Sequence, residues 1–295
     1  MSTTVSIVLP ARNEAAGLER LLPRLKQLHP DAEILVVNDG STDNTLEICR
    51  QHDVTAISHV YSMGNGAAVK TGARNARGDI LVFMDADGQH DPDDIQALLD
   101  RIDTGYDMVV GAREPGSNAT LARRFGNSIY NRLASFMTGY PVMDLTSGFR
   151  AVRTRHFLKI LYLLPNRFSY PTTSTMAFFR SGLAVGYLPI RAGQRSADSK
   201  SHIRLFHDGM RFLIIILKIG ALFSPMRFFL PVSAVLFVTG MGYYAYTYAA
   251  WGRLTNMTAI LILSSLLTFL IGIVSEQISA LHYKDIQETR RRTER

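Results

Sequence analysis

Cysteine is almost missing from these 295 residues: Cys49 stands alone, so no disulfide can form within the chain, and a reducing compartment fits. Tryptophan is as scarce, with Trp251 the single copy. No internal repeat and no low-complexity segment interrupts the chain. Met1 to Ser6 hold no basic stretch leading into an apolar run, so no signal peptide is expected there. The most informative absence is charge. Phe228 to Gly252 and Leu254 to Ser275 contain no Asp, Glu, Lys or Arg. A helix needs ~20 apolar residues to cross ~30 Å of hydrocarbon, and both stretches are long enough. Two buried core helices are the competing reading, but such helices rarely run this far uncharged. Two transmembrane helices are expected, at about 228–250 and 257–279.

The charge that is present has a pattern. Arg204, Arg211, Lys218 and Arg227 precede the first span; Lys284, Arg290, Arg291, Arg292 and Arg295 follow the second. The connecting loop, about Trp251 to Asn256, has only Arg253. Basic residues stay on the cytoplasmic side, which puts both ends of the hairpin there and makes 282–295 a basic cytoplasmic tail. The net charge of +7 then needs no nucleic acid to explain it, since much of it lies where anionic lipid headgroups would be.

Before residue 200 the pattern changes. Val5 to Leu9, Glu33 to Val37 and Ile80 to Met84 are short, β-branched-rich apolar runs ending in polar turns. Val54 to Ile57, Met108 to Gly111, Phe149 to Val152 and Val185 to Ile190 are further strand candidates. Between them lie stretches of helical spacing, such as Leu18, Leu21, Leu22, Leu25 and Leu28. Strands alternating with helices predict an α/β domain on a mainly parallel sheet. The expected layout is that domain at 1–202, a connector at 203–225, the spans within 226–281, and the tail.

Two helical segments are amphipathic. Within about 119–138, Leu121, Phe125, Ile129, Leu133 and Phe136 share one side, with Arg124, Ser128, Asn131 and Ser135 on another. Ile203 to Phe223 carries Arg204, His207, Arg211 and Lys218 along one stripe. Such helices lie in a membrane surface or pack on the domain. The interface is favoured for the second because it leads directly into a span; for the first the two readings are balanced.

Ligands of open α/β sheets bind beyond the carboxyl ends of the strands. Three polar clusters stand there: Pro10-Ala11-Arg12-Asn13-Glu14, Asn38-Asp39-Gly40-Ser41-Thr42-Asp43 and Asp85-Ala86-Asp87-Gly88-Gln89-His90. Each by itself is an ordinary turn or helix cap, and Asn13 and Ser41 fit that use. Together they can converge on one crevice. Asp85 and Asp87 would point to opposite faces of an extended strand, so a bend is required if both serve one site. Hard carboxylate oxygens suit Mg²⁺ or Mn²⁺, with substrate phosphates completing the shell. Two caps on the next helix are the alternative, but Asp91 and Asp93 beside Pro92 suit that better.

These residues resemble the family 2 glycosyltransferases of the GT-A fold, and more narrowly their polyprenyl-phosphate branch, the dolichol-phosphate mannose synthases and bacterial undecaprenyl-phosphate glycosyltransferases. Six motifs in the family's order carry the likeness: Pro10 with Asn13-Glu14, Asn38 to Asp43, Gly64-Asn65-Gly66, Asp85 to His90, Gly111-Ala112-Arg113, and Asp144 to Arg150. The resemblance implies that Pro10, Arg12, Asn13, Glu14 and Asp39 hold a nucleotide-sugar, a UDP- or GDP-sugar, with Asp39 near the base. It implies that Asp85, Asp87 and Gln89, with Ala86 between the carboxylates, form the metal and diphosphate site. Arg113, Arg124 and Ser128 resemble the family's lipid-phosphate site, so Asp85, Asp87 and Arg113 are the expected catalytic residues. Members of the branch also carry Arg-x-x-Gly-x-Ser-Lys; here Gln194-Arg195-Ser196-Ala197-Asp198-Ser199-Lys200 aligns Ser199 and Lys200 but has Ala197 for the glycine and its arginine one place late. Lys200 and Arg195 are expected on the leaving diphosphate, unless both are simply solvated charges.

The implied reaction moves a hexose-type sugar, with inversion, from the nucleotide to a polyprenyl phosphate, undecaprenyl or dolichyl, at the membrane; a homo-oligomer is left open. A processive or hydroxyl-directed membrane glycosyltransferase is one alternative, but the Gln-x-x-Arg-Trp motif of processive synthases is missing. A nucleotidyltransferase would show a Gly-rich loop where Asn13-Glu14 stands. A non-catalytic scaffold binding nucleotide-sugars leaves the acidic pair without a reason.

Overall fold

The computed structural model describes residues 3–113, 121–167, 169–191 and 224–293, with the side chains of 121–127 and 282–293 outside that description. The expectations for Arg195 and Lys200, for the Arg124 side chain, for the connector helix as far as residue 223 and for the basic side chains of the tail therefore lie outside the described residues. The rest falls into two compact units, one built on a sheet and one on the C-terminal helices.

The first unit alternates strands and helices as their residue patterns require. The elements are β1 (Val5–Ala11), α1 (Ala15–Leu28), β2 (Glu33–Asn38), α2 (Thr45–Gln51), β3 (Thr55–Ser58), α3 (Asn65–Asn75), β4 (Ile80–Phe83), α4 (Asp94–Asp103) and β5 (Met108–Arg113). There follow α5 (Leu121–Thr138), β6 (Arg150–Arg153), α6 (Thr154–Ile160), a 3₁₀ turn at Leu161–Leu163, α7 (Tyr170–Arg180) and β7 (Val185–Ile190). One seven-stranded sheet runs β3-β2-β1-β4-β6-β5-β7. β1 pairs in parallel with β2 and β4, β2 with β3 and β5 with β7, while β6 is antiparallel to both neighbours. The mainly parallel α/β sheet is as expected. All four residues of β4 are buried, as befits a central strand covered on both faces.

Helix α1 packs Leu18, Leu21, Leu22 and Leu25 into the core, each worth ~1.5–3 kcal/mol of transfer free energy. Leu28, which continues that spacing, is 42% exposed, because the helix ends there and the chain turns away. Gly17 on the same helix meets the turn after β4: a Cβ there would lie 2.2 Å from the Ala86 carbonyl oxygen. The helix can approach so closely only because residue 17 has no side chain.

Helix α5 buries Tyr130, Ala134 and Met137. Ile129 and Phe136 are exposed, whereas Asn131 and Ser135 face protein. Asn131 donates to Met143 O at 2.6 Å and accepts from the Leu145 N–H at 3.2 Å; Ser135 Oγ accepts from the Val142 N–H at 2.9 Å. Its polar side thus holds the backbone that leads to Asp144.

The second unit contains α8 (Pro225–Trp251) and α9 (Asn256–Thr293), paired as a hairpin. Both helices are long and apolar enough to cross a bilayer, over Pro225–Trp251 and Asn256–Leu281. Ser233 and Ser265 exchange hydrogen bonds, each Oγ donating to the other's carbonyl at 2.9 Å, so two hydroxyls that would be costly in hydrocarbon are satisfied internally. Gly240 lets Leu261 and Ile262 approach, and Gly252, at φ +62°, closes α8. Glu276 accepts from the Met226 N–H at 3.1 Å, serving an otherwise orphaned donor in the first turn of α8. Tyr243, Tyr244, Tyr246, Tyr248 and Trp251 gather toward the connecting loop, an aromatic belt of the kind found at membrane interfaces.

Candidate active site

Because β1, β2 and β4 are parallel neighbours, the loops after Ala11, Asn38 and Phe83 emerge on one edge of the sheet. Backbone bonds tighten the join, with the Asp39 N–H donating to Ala11 O at 2.8 Å and the Met84 N–H to Val8 O at 3.2 Å. The loops enclose a cavity of about 280 Å³ whose walls include Pro10, Arg12, Glu14, Asp39, Asp85, Ala86 and Asp87. All seven were singled out from the sequence.

The bend that the acidic pair requires is present. β4 stops at Phe83, Ala86 and Asp87 form a turn, and Gly88 takes φ +73°. Asp85 and Asp87 thereby reach the same cavity. Gln89 is not among the wall residues; its backbone N–H donates to Asp87 Oδ1 at 3.1 Å and so orients that carboxylate. Asn13 also departs from the expected wall. Its N–H donates to Ser41 Oγ at 2.9 Å and its Oδ1 accepts from the Thr42 N–H at 2.8 Å, stitching the first two loops together at φ +56°. Asp43 adds to that seam, accepting from the Ala15 N–H at 3.1 Å and so capping α1 from a neighbouring loop. Of the two expected caps, Asp91 caps the turn that opens α4, its Oδ1 accepting from the Asp93 N–H at 3.2 Å, whereas Asp93 makes no side-chain cap bond. Both carboxylates also pair with Arg24, at 2.9 and 3.2 Å.

Asp39 is almost wholly buried yet charged. Burial works to raise its pKa, and bonds from His59, Met63, Ser62 and Gly64 more than offset this, holding the carboxyl below its usual range. Sequence reasoning assigned no role to His59 or Ser62; neither belongs to a motif, and only β3 and α3 bring them to Asp39.

Arg113 ends β5 but does not stand free. Its Nε and Nη2 bind Asp144 Oδ2 and Oδ1 at 2.8 and 3.0 Å, and Nη2 also donates to Thr146 Oγ1 at 2.5 Å. This two-point fork is the strong arginine–carboxylate geometry. Burial would raise the Asp144 pKa, but the bond from Arg113 and its charge depress it. Ser128, expected with Arg113 at the lipid-phosphate site, is exposed.

Under this pair lies Arg150, fully buried on β6. It donates through Nη1 to Pro171 O at 3.0 Å and Ser174 Oγ at 2.7 Å, and through Nη2 to Ser147 O, with its guanidinium over the Tyr170 ring. Tyr170 in turn donates to Gly148 O at 2.9 Å, and Gly148 backs onto Asp85: a Cβ there would lie 3.0 Å from Asp85 Oδ2. The segment from Asp144 to Phe149 thus touches both Arg113 and Asp85. His90 stacks on Phe149 at 5.0 Å, and burial holds its imidazole below the usual range against the opposing charge of Asp87.

The family model of glycosyl transferase family 2 matches residues 6–161, more than half the chain. The chain belongs to this family. Residues 224–281 match a second model, the GtrB C-terminal hairpin, which covers the paired apolar helices. Among relatives of this family 2 member, the polyprenol monophosphomannose synthase of Mycolicibacterium smegmatis is 30% identical, over 67% of this chain and 82% of its own. The undecaprenyl-phosphate 4-deoxy-4-formamido-L-arabinose transferase of Photorhabdus laumondii is 28% identical, over 80% and 73%. In fold, the chain resembles glucosyl-3-phosphoglycerate synthase from Mycobacterium tuberculosis, solved with Mn²⁺ and UDP-glucose, at a TM-score of 0.59 and 22% identity over 74% of this chain and 78% of that one. The fold is GT-A, and the protein is a family 2 glycosyltransferase.

Proposed function

We propose that the protein transfers a hexose-type sugar, with inversion, from a UDP- or GDP-sugar to undecaprenyl or dolichyl phosphate at the cytoplasmic membrane face. One observation carries the reading: a single chain joins an acidic cavity at the strand ends to a bilayer-length apolar hairpin. The names of the two relatives, a polyprenol monophosphomannose synthase and an undecaprenyl-phosphate transferase, support a lipid-phosphate acceptor. The outward apolar side of α5 supports a catalytic domain lying against lipid. The same reading keeps the expected layout: a domain at 1–202, a connector at 203–225, spans within 226–281 and a basic tail.

In this reading Pro10, Arg12, Glu14 and Asp39 surround the nucleotide, and Asp85 and Asp87 face its diphosphate. The donor set fits Mg²⁺ or Mn²⁺. Asp85 and Asp87 stand together on one wall of the cavity, and no group of three His, Cys, Asp or Glu placed to hold a metal occurs among the described residues, so phosphate oxygens and water would complete the shell. When bound, the cation supplies positive charge to the departing diphosphate. Asp85 and Asp87 would hold it, and Gln89 would keep Asp87 in place. Lys200 and Arg195 would add cationic partners for the same leaving group.

The acceptor phosphate is anionic at neutral pH, so its oxygen attacks the anomeric carbon without a general base. Catalysis then rests on position and preorganised charge. Arg113, clamped by Asp144, would orient that phosphate, with Arg124 and Ser128 on α5 as further partners.

The test is to incubate purified protein with a panel of UDP- and GDP-sugars, undecaprenyl phosphate and Mg²⁺, and to identify lipid products by mass spectrometry. A single glycosyl phospholipid is expected; donor hydrolysis alone with every sugar would sink the reading.

A further inference from the structure

Gly148 is a glycine for reasons of space rather than of backbone freedom. Its φ lies outside the left-handed range, so the backbone itself would accept an ordinary L residue. A Cβ there, however, would lie 3.0 Å from Asp85 Oδ2, 3.4 Å from Asp85 Oδ1 and 3.3 Å from the Tyr170 hydroxyl. Both oxygens of the Asp85 carboxylate therefore rest against the Gly148 backbone, an approach that the missing side chain permits.

That backbone is firmly held from behind. The Tyr170 hydroxyl donates to the Gly148 carbonyl at 2.9 Å. Burial pushes the Tyr170 phenol above its ordinary range, so it keeps its proton and stays a donor. Tyr170 is itself fixed at the start of α7, its ring edge-on to Phe83, the last residue of β4, with centroids 6.2 Å apart. On one side of Gly148, the Ser147 N–H donates to Asp144 Oδ1 at 3.1 Å and the Ser147 carbonyl accepts from Arg150 Nη2. On the other, Phe149 stacks on His90. One short segment thus meets both ends of the acidic loop, Gly148 at Asp85 and Phe149 at His90. The buried Arg150 charge acts on Asp85 as well, an attraction that favours the carboxylate's place above this segment.

Asp85 lies beyond the last residue of β4, so no strand pairing fixes its direction. We propose that Gly148 is the seat that aims the Asp85 carboxylate at a divalent cation, and that Tyr170 and Arg150 are positioning residues that hold this seat. The proposal rests on the reading of the cavity as a nucleotide-sugar site. It gives the two carboxylates separate supports: the Gln89 N–H for Asp87, and the Ser147–Arg150 segment for Asp85.

The experiment titrates full-length protein in detergent calorimetrically with UDP, and with GDP, at a series of Mn²⁺ concentrations. Coupling between two ligands is reciprocal, so the Mn²⁺ dependence of nucleotide affinity reads the cation's own hold on the site. Tyr170→Phe keeps the ring beside Phe83 and Arg150 but loses the hydroxyl, whereas Gly148→Ala pushes the Asp85 oxygens off the seat. Each variant is expected to need about tenfold more Mn²⁺ for the same gain in nucleotide affinity, the usual scale for losing a partner behind a metal ligand. Nucleotide affinity without metal should not change. Saturating Mn²⁺ should return Tyr170→Phe to wild-type nucleotide affinity, which general damage to the fold would not allow. An unchanged Mn²⁺ requirement in both variants would overturn the seat, as would a loss of nucleotide affinity already present without metal. If Gly148→Ala does not fold, Tyr170→Phe decides by itself. If the unsubstituted protein gains no nucleotide affinity from Mn²⁺, the functional reading fails; if it gains and both variants gain equally at the same concentrations, the seat alone fails.

Discussion

Asp39 and Asp144 are both buried carboxylates, and each keeps its charge because hydrogen-bond donors outweigh the desolvation that would neutralise it. That has a consequence for stability. A folded-state pKa held below the ordinary aspartate value of 3.8 contributes stability that is complete above that pH and lost as pH falls through the folded value. Denaturant titrations between about pH 5 and pH 2 should therefore show a steeper acid loss in the native chain than in Asp144→Asn. Parallel curves would contradict the depressed pKa. At the acidic turn, Asp87→Ala should lower transfer by at least about a hundredfold while the protein remains in the membrane fraction; substantial residual activity would remove Asp87 from the site. Asp85 and Asp87 were legible as a site from their place after an apolar run. His59 was not, because a lone histidine carries no pattern until tertiary contacts supply its partners, and Arg150 was visible only as the last residue of a motif, with no role attached.

At the scale of elements, the site is assembled by close backbone approaches. Gly17 of α1 abuts the Ala86 carbonyl in the turn that carries both carboxylates. Gly17→Ala adds a Cβ where only 2.2 Å is available, so the turn or the helix must move. Overpacking of this kind costs about 1–3 kcal/mol, and here the strain falls on the acidic turn. We expect kcat to drop well beyond what a shift of a few degrees in Tm explains, measured by lipid-product formation and thermal unfolding on the same preparation. Wild-type kcat would show that the turn is not set by this contact. The strands were readable because their apolar runs are short, β-branched and punctuated by turn residues. The reversal of β6 was not readable, since a strand's direction leaves no mark on its composition. Helix α5 shows the same limit: its two sides were evident, but which side met the protein was decided by the 142–145 backbone that Asn131 and Ser135 bind.

For the whole molecule, the positive-inside rule applied to the basic flanks predicts both ends of the hairpin in the cytoplasm and the loop around Arg253 outside. Cys49 is buried in the sheet-bearing unit, so the native protein offers a nearly silent background for thiol labelling. Arg253→Cys should be labelled by a membrane-impermeant maleimide in intact cells, whereas Arg295→Cys should react only after permeabilisation. The reverse pattern would invert the topology and put the cavity on the wrong side for a cytosolic nucleotide-sugar.

By itself the sequence determined the class of sheet, the two spans, their expected orientation and the acidic pair, because periodicity, length and charge are local properties that a chain displays before it folds. Tertiary structure alone decided which groups meet: that Asn13 ties two loops together, that Asp144 forks Arg113, and that Asp39 is bonded to His59, Ser62, Met63 and Gly64. A carboxylate's role depends on what fills its lone pairs, and in this protein those partners lie 20 to 31 residues away along the chain.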